Sequence, residues 1–318
     1  MTPAATSEGA GPSAAAVSAR PRVIYVMGAS KSGSTIVGVT LGNCSDMFLA
    51  GELETWLVNS GTPALGGLER TRFWNGVRED VEGASELFGD QSQRSLERAS
   101  SLLRLDMWSL RRRLRAPFRR ITQDLYQAIS RRSGARYVID TSHLPLRAFE
   151  LQALGGIDLY LIFLVRDRES IVASHARHLK RHEARERRRL FVTSNVNLFA
   201  TYLLSTVVFA RQPSERRMLL HYEDFVENPE AVLGDILRRV GSEATIPDLS
   251  SLSTGIPLRG NRLLGSPTVA LKREVPAAHR SSRLTRILQL PWELVLSRLQ
   301  PVAGAGGARG AAPADGTA

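Results

Sequence analysis

The chain has one cysteine in 318 residues, Cys44, which excludes an intramolecular disulfide and any cysteine-cluster metal site and suits a reducing compartment. Aromatic residues are scarce too, at 6% with four tryptophans, which leaves little stacking surface for nucleic acid. Long apolar runs are missing. The longest mostly apolar stretch, residues 196–210, is interrupted by Asn197, Thr201 and Ser205 and is short for a membrane span, so it reads as a buried helix. Acidic residues are outnumbered, 31 Asp+Glu against 42 Lys+Arg, for a formal net charge of +11. That balance favours an anionic partner: nucleotide, nucleic acid, acidic lipid or phosphorylated substrate. Residues 1–20 are small and polar without the apolar core of a signal peptide, and 303–318 are of low complexity. Two disordered tails are therefore expected around one domain at 21–302, in a cytoplasmic protein with no transmembrane segment.

What is present is a repeated alternation. Val23–Met27, Tyr137–Ile139, Leu159–Val165 and Met218–Tyr222 read as strands, with Met47–Ala50 as a shorter fifth. Helical patterns lie between them, at 35–41, 95–130, 170–189, 195–211 and 229–240. The last has Pro229 at its start and Gly241 at its stop. Uninterrupted apolar strands alternating with helices predict an α/β three-layer sandwich with a central parallel sheet flanked by helices. Ligands of such folds sit beyond the carboxyl ends of the strands, so the residues just after each strand carry the functional information.

After the first strand comes GASKSGST, residues 28–35. Glycines that admit a close backbone approach, amides at a helix start, Lys31 and several hydroxyls together read as a phosphate loop. The pattern GxxxxGK[ST] fails by one residue, because Ser34 stands where lysine belongs and Lys31 comes three positions earlier. After the third strand, Arg166 precedes Ser174 by eight residues, a second phosphate grip if guanidinium and hydroxyl converge. The alternative is that Arg166 pairs with Asp167 or Asp140 while Ser174 merely packs. Glu52 and Glu54 follow the short second run and His143 follows YVIDTS, so three groups can serve as base. His175, His178 and His182 share a helical face, but the lysine and arginines among them read as a solvated basic face rather than a metal site. The basic runs at 109–120 and 181–190 read likewise as solvated faces able to attract an acidic acceptor or membrane, and the amphipathic segment 286–299 as docked on the core.

KSGST at Lys31–Thr35, the Arg166–Ser174 spacing, LLHYEDFVENPEAVLGDILRRVG from residue 219 and LRGNRL from residue 258 together resemble the sulfotransferase family that uses 3'-phosphoadenosine-5'-phosphosulfate (PAPS), over residues 22–275. The resemblance implies a P-loop-like fold in which Lys31, Ser32, Gly33, Ser34 and Thr35 hold the 5'-phosphosulfate. Arg166 and Ser174 would hold the 3'-phosphate, and Arg259, Gly260 and Asn261 would cap the nucleotide. It implies transfer of a sulfuryl group to a hydroxyl, ahead of an amine, of a small-molecule, glycan or lipid acceptor, with Lys31 assisting and no metal or nucleic acid involved. Branches of the family use a glutamate or a histidine as base. Glu52, 21 residues beyond Lys31, ranks first, and His143, in an SHLP segment, second. Two rivals stand beside this reading. One is a P-loop kinase with magnesium on Asp140 and on Ser34 or Thr35; the other is an inactive basic binding protein on the same fold.

Overall fold

The computed structural model describes residues 20–103, 106–167, 170–171 and 184–273. Five strands, β1 (Arg22–Gly28), β2 (Met47–Gly51), β3 (Tyr137–His143), β4 (Asp158–Val165) and β5 (Arg217–His221), form one sheet in the order β2-β3-β1-β4-β5, and every pairing is parallel. The described helices are α1 (Ser34–Gly42), α2 (Leu68–Asp80), α3 (Arg94–Glu97), α4 (Met107–Ser133), α5 (Pro145–Leu151), α6 (Ala184–Arg211), α7 (Tyr222–Glu227) and α8 (Pro229–Val240).

The alternation of side chains along β1 explains the three layers. Val23, Tyr25 and Met27 join one core with Trp56, Trp74, Phe118, Ile121 and Leu125, while Ile24 and Val26 join a second with Val37, Leu233 and Ile236. With both faces covered, the strands have no use for polar alternation and read as apolar runs. In α8, Val232, Leu233, Ile236 and Leu237 are buried, Pro229 opens the helix and Gly241 ends it at φ 71°. A short strand pair, β6 (Leu252–Ser253) with β7 (Thr268–Val269), is antiparallel. Between them the chain runs beside β2: Leu258 N–H donates to Ala50 O at 2.9 Å and Glu52 N–H to Arg259 O at 3.0 Å. This edge contact carries residue 259 to the carboxyl end of the sheet.

Three expectations change. The helix expected over 95–130 is broken into α3, a 3-10 turn at Ala99–Leu103 and α4. The strand beginning at Tyr137 runs on to His143, past the polar residues that seemed to end it. The basic run at 109–120 is only in part a solvated face. Arg111 is buried and donates to Ser95 O at 2.6 Å and Ser101 Oγ at 2.8 Å, and Arg115 and Arg119 both reach the buried carboxylate of Glu150, at 3.0 and 2.7 Å. One side of α4 is roofed by polar groups of α3 and α5, so these arginines satisfy buried acceptors. The runs at 172–183 and 274–302, with His175, His178, His182 and the amphipathic segment, lie outside the described residues; so does most of the helix expected over 170–189. Among the described residues no helix is long and apolar enough to cross a membrane.

Gly28 closes β1 where β4 lies nearest. A Cβ at this position would meet the Leu164 carbonyl oxygen at 2.4 Å, and that obstacle is backbone in the middle of a sheet. Gly28→Ala should therefore destabilise the fold by about 1–3 kcal/mol, the usual cost of overpacking. Urea unfolding that leaves the midpoint unchanged would contradict this close approach.

Candidate functional site

The loop after β1 turns tightly. Ser32 N–H donates to Ala29 O at 3.2 Å, Lys31 takes a left-handed φ of 71° and Gly33 a φ of 101°. The Tyr222 ring occupies the place of a Gly33 side chain, 2.3 Å from the would-be Cβ, so the position tolerates glycine alone. Ile36 and Val37 N–H groups then bond Gly33 O and α1 begins, without a side-chain cap or an acidic residue in its first turn. The unpaired amides and positive end of α1 are left to an anion. Lys31 is exposed above the loop, Thr35 is nearly buried, and Ser32 is fully buried with its Oγ lacking a partner.

Arg166 leaves the end of β4 and donates from Nη1 to Lys31 O at 3.1 Å, its guanidinium 4.4 Å from the Tyr222 ring centre. It pairs with neither Asp167 nor Asp140. Asp167 uses its own N–H on Glu223 Oε1 at 2.9 Å and its Oδ2 to cap Ser170 N–H at 2.9 Å. Tyr222 thus touches both the loop and Arg166, a role that the HYED segment contained but residue-type reasoning did not extract. Ser174 lies outside the described residues.

At the end of β2, Gly51 takes φ 82° with the Arg259 carbonyl pressed against it. Glu52 follows, partly buried. Its pKa is raised, first by desolvation and then by Asp140, against the opposing pull of Arg259 and Lys31. Lys31 and Arg259 thus both act on Glu52 through space. Arg259 is exposed at the rim, Gly260 packs on Leu264, and Asn261 accepts from Leu263 N–H at 3.0 Å to cap a 3-10 turn.

Glu54 stands in the first turn of a 3-10 helix, Leu53–Thr55, but it does not face solvent. It turns inward, its Oε2 is buried without a partner, and burial followed by the charges of Glu52, Asp140 and Glu97 lifts its pKa to about 8. At neutral pH it is mostly a protonated acid. His143, at the bulged end of β3, holds a left-handed φ of 56°, and burial depresses its pKa, so its imidazole is neutral at pH 7. Non-glycine residues with positive φ are uncommon; among the described residues there are Lys31, Ser60 and His143, and two of the three stand at this end of the sheet.

Asp140 has no solvent exposure. Its Oδ2 accepts from Tyr126 Oη at 2.5 Å and Arg147 Nε at 3.3 Å, and its Oδ1 accepts from Ser142 N at 2.8 Å and from Ser142 Oγ. Arg147, also buried, donates from Nη1 to Glu97 Oε1 at 2.6 Å. A strand-end carboxylate sealed in this way presents no oxygen to a nucleotide-bound cation, which removes the feature that most favoured a kinase. Tyr126, Arg147 and Glu97 carried no usable sequence signal, since nothing local reveals that residues 97, 126 and 147 converge on position 140.

A family model described as "Sulfotransferase family" matches residues 21–246. Among solved structures, the sulfotransferase domain from the curacin biosynthetic pathway aligns at 14% identity over 86% of this chain and 98% of that one, with a TM-score of 0.46. The sulfotransferase STF9 from Mycobacterium avium aligns at 13% identity over 90% and 78%, with a TM-score of 0.48. STF1 from Mycobacterium tuberculosis H37Rv aligns at 19% identity over 70% and 68%, with a TM-score of 0.44. A search of curated proteins finds no match. The family model, however, takes in all five strands and the loops that follow them, and on that ground the chain belongs to the sulfotransferase family.

Proposed function

We propose that the chain transfers a sulfuryl group from PAPS to the hydroxyl of a small metabolite, glycan or lipid, with residues 21–302 as one catalytic domain in the cytoplasm. The observation that carries this reading is the meeting, at the carboxyl ends of three strands, of the Lys31 loop, the Arg166 guanidinium bonded to it, and Glu52 within electrostatic reach of Lys31. The residues suit an anionic nucleotide. Ser32 offers a buried hydroxyl without a protein partner, and the first turn of α1 offers amides without competing carboxylates.

PAPS, when bound, supplies the sulfuryl group and leaves as adenosine 3',5'-bisphosphate. Ser32, Gly33, Ser34 and Thr35 cradle the 5' end, Arg166 and Ser174 grip the 3'-phosphate, and Arg259, Gly260 and Asn261 close over the nucleotide. Glu52 takes the proton from the acceptor oxygen as that oxygen bonds sulfur. The electron pair of the breaking sulfur–oxygen bond passes to the phosphate, where Lys31 and the α1 amides neutralise the growing charge. His143 serves as second base or as a donor to the sulfuryl oxygens. Cys44 takes no part: its buried thiol is pushed up to about 11.

Adenosine 3',5'-bisphosphate should bind roughly ten- to a hundredfold more tightly than AMP or ATP, since losing one charge-assisted contact to the 3'-phosphate costs about 1.5–3 kcal/mol. Magnesium-dependent ATP binding without preference for the bisphosphate, measured calorimetrically, would overturn the proposal.

Lys31 should matter most where charge develops. Lys31→Ala is expected to lower turnover by orders of magnitude while donor affinity falls less, with partial rescue in Lys31→Arg. Turnover equal to the wild type would reduce Lys31 to part of a polar turn.

Glu52 must be ionised to act, and its raised pKa moves the required pH upward. kcat/KM should fall as pH drops through a value above that of an ordinary glutamate, and Glu52→Gln should lose this limb together with about 10²–10⁴-fold in turnover. An active Glu52→Gln beside a dead His143→Ala would make the histidine the base.

A further inference from the structure

Asp140 has the burial and the bonds of a working residue, yet the proposed reaction assigns it nothing. Its place in the sheet is unusual on both sides. Against β1, Tyr25 pairs with Asp140 but Met27 with His143, so β3 holds an extra residue; against β2, Leu49 pairs with Ile139 but Gly51 with Asp140, so there β2 holds the extra residue. Bulges of this kind re-aim side chains beside active sites.

The hydrogen bonds run through this double irregularity. Ser142 donates both its N–H and its hydroxyl to Asp140 Oδ1, and the Ser142 oxygen accepts the Glu54 N–H at 3.1 Å. The carboxylate itself is anchored from behind by Tyr126 and Arg147, Arg147 in turn by Glu97. Tyr25 Oη donates to Leu144 O at 2.8 Å and pins the chain directly after His143 to β1.

We propose that Asp140 is a positioning residue: through Ser142 its buried carboxylate ties the turn that carries Glu52 to the strand end that carries His143 and fixes the spacing of the two proton-accepting groups. The linkage lies close to both: Glu54 is two residues beyond Glu52, and Ser142 directly precedes His143. Resting on the sulfuryl-transfer reading above, this inference explains why a strand end that resembles a metal-holding position is sealed from solvent.

Two variants separate positioning from charge. Ser142→Ala cuts the relay but leaves the carboxylate with Tyr126 and Arg147, whereas Asp140→Asn also removes the negative charge. Three measurements decide: calorimetric affinity for adenosine 3',5'-bisphosphate, kcat for PAPS-dependent sulfation of 4-nitrophenol, and NMR titration of the His143 ring. The chain has six histidines, and the His143 signal is identified by its loss in His143→Gln. The groups acting on that ring are Asp140 and the Thr141 backbone, which raise its pKa, and Lys31 and burial, which lower it.

Both variants should bind the bisphosphate within about twofold of the wild type while kcat falls roughly ten- to a hundredfold, the scale of small misplacements. The His143 titration should move to lower pH in Asp140→Asn and stay in place in Ser142→Ala. Unchanged kcat in both variants overturns the inference, as does loss of bisphosphate affinity in step with kcat, which marks a merely structural role. If Asp140→Asn does not fold, kcat of Ser142→Ala decides alone. If the wild type sulfates neither 4-nitrophenol nor any component of a metabolite extract, the sulfuryl-transfer reading fails separately, and an unmoved His143 titration in Asp140→Asn would still overturn this one.

Discussion

A parallel sheet buried on both faces leaves its polar side chains only the strand ends, and everything functional in this chain follows from that constraint. The strands are apolar along nearly their whole length because helices cover each side. At the ends of β1, β2, β3 and β4 stand, in turn, a lysine-bearing loop, a glutamate, a histidine and an arginine. Four distant stretches of sequence become one surface because the sheet order β2-β3-β1-β4 sets their ends side by side.

Two layers of charge lie at that end. The outer layer is cationic around Glu52, with Lys31 and Arg259 acting on its carboxylate and Arg166 bonded to the Lys31 carbonyl. The inner layer is a sealed cluster of Asp140, Glu97, Arg147 and a Glu54 that burial keeps largely protonated. Burying an ion pair is costly unless its remaining lone pairs and protons are satisfied, and Asp140 receives bonds from Tyr126, Arg147 and Ser142. The inner layer also explains part of the raised Glu52 pKa, since the Asp140 charge opposes ionisation of its neighbour. In the proposed reaction, a carboxylate with a raised pKa is a stronger base for taking a proton from the acceptor.

The strands, their parallel arrangement and the loop after β1 were legible because each is encoded locally, in apolar runs and in the crowding of Gly28, Lys31, Gly33 and hydroxyls over eight residues. The edge segment that carries Arg259 back to Glu52 was visible only as a family resemblance, because its bonds join residues some two hundred positions apart. The inner cluster was hidden for the same reason. Asp140 imitated a metal-holding strand end, and Arg111, Arg115 and Arg119 imitated a solvated face. In each case a buried partner from another element, supplied by the tertiary fold, decided what the side chain does. Composition pointed to an anionic partner without distinguishing a nucleotide from a lipid.

The most direct measurement is a product search after incubation with sulfur-labelled PAPS and a metabolite extract. The account predicts labelled sulfate esters of hydroxyl-bearing compounds, formed one for one with adenosine 3',5'-bisphosphate and absent with Lys31→Ala. Intact PAPS beside magnesium-dependent consumption of ATP and phosphorylated products would contradict it.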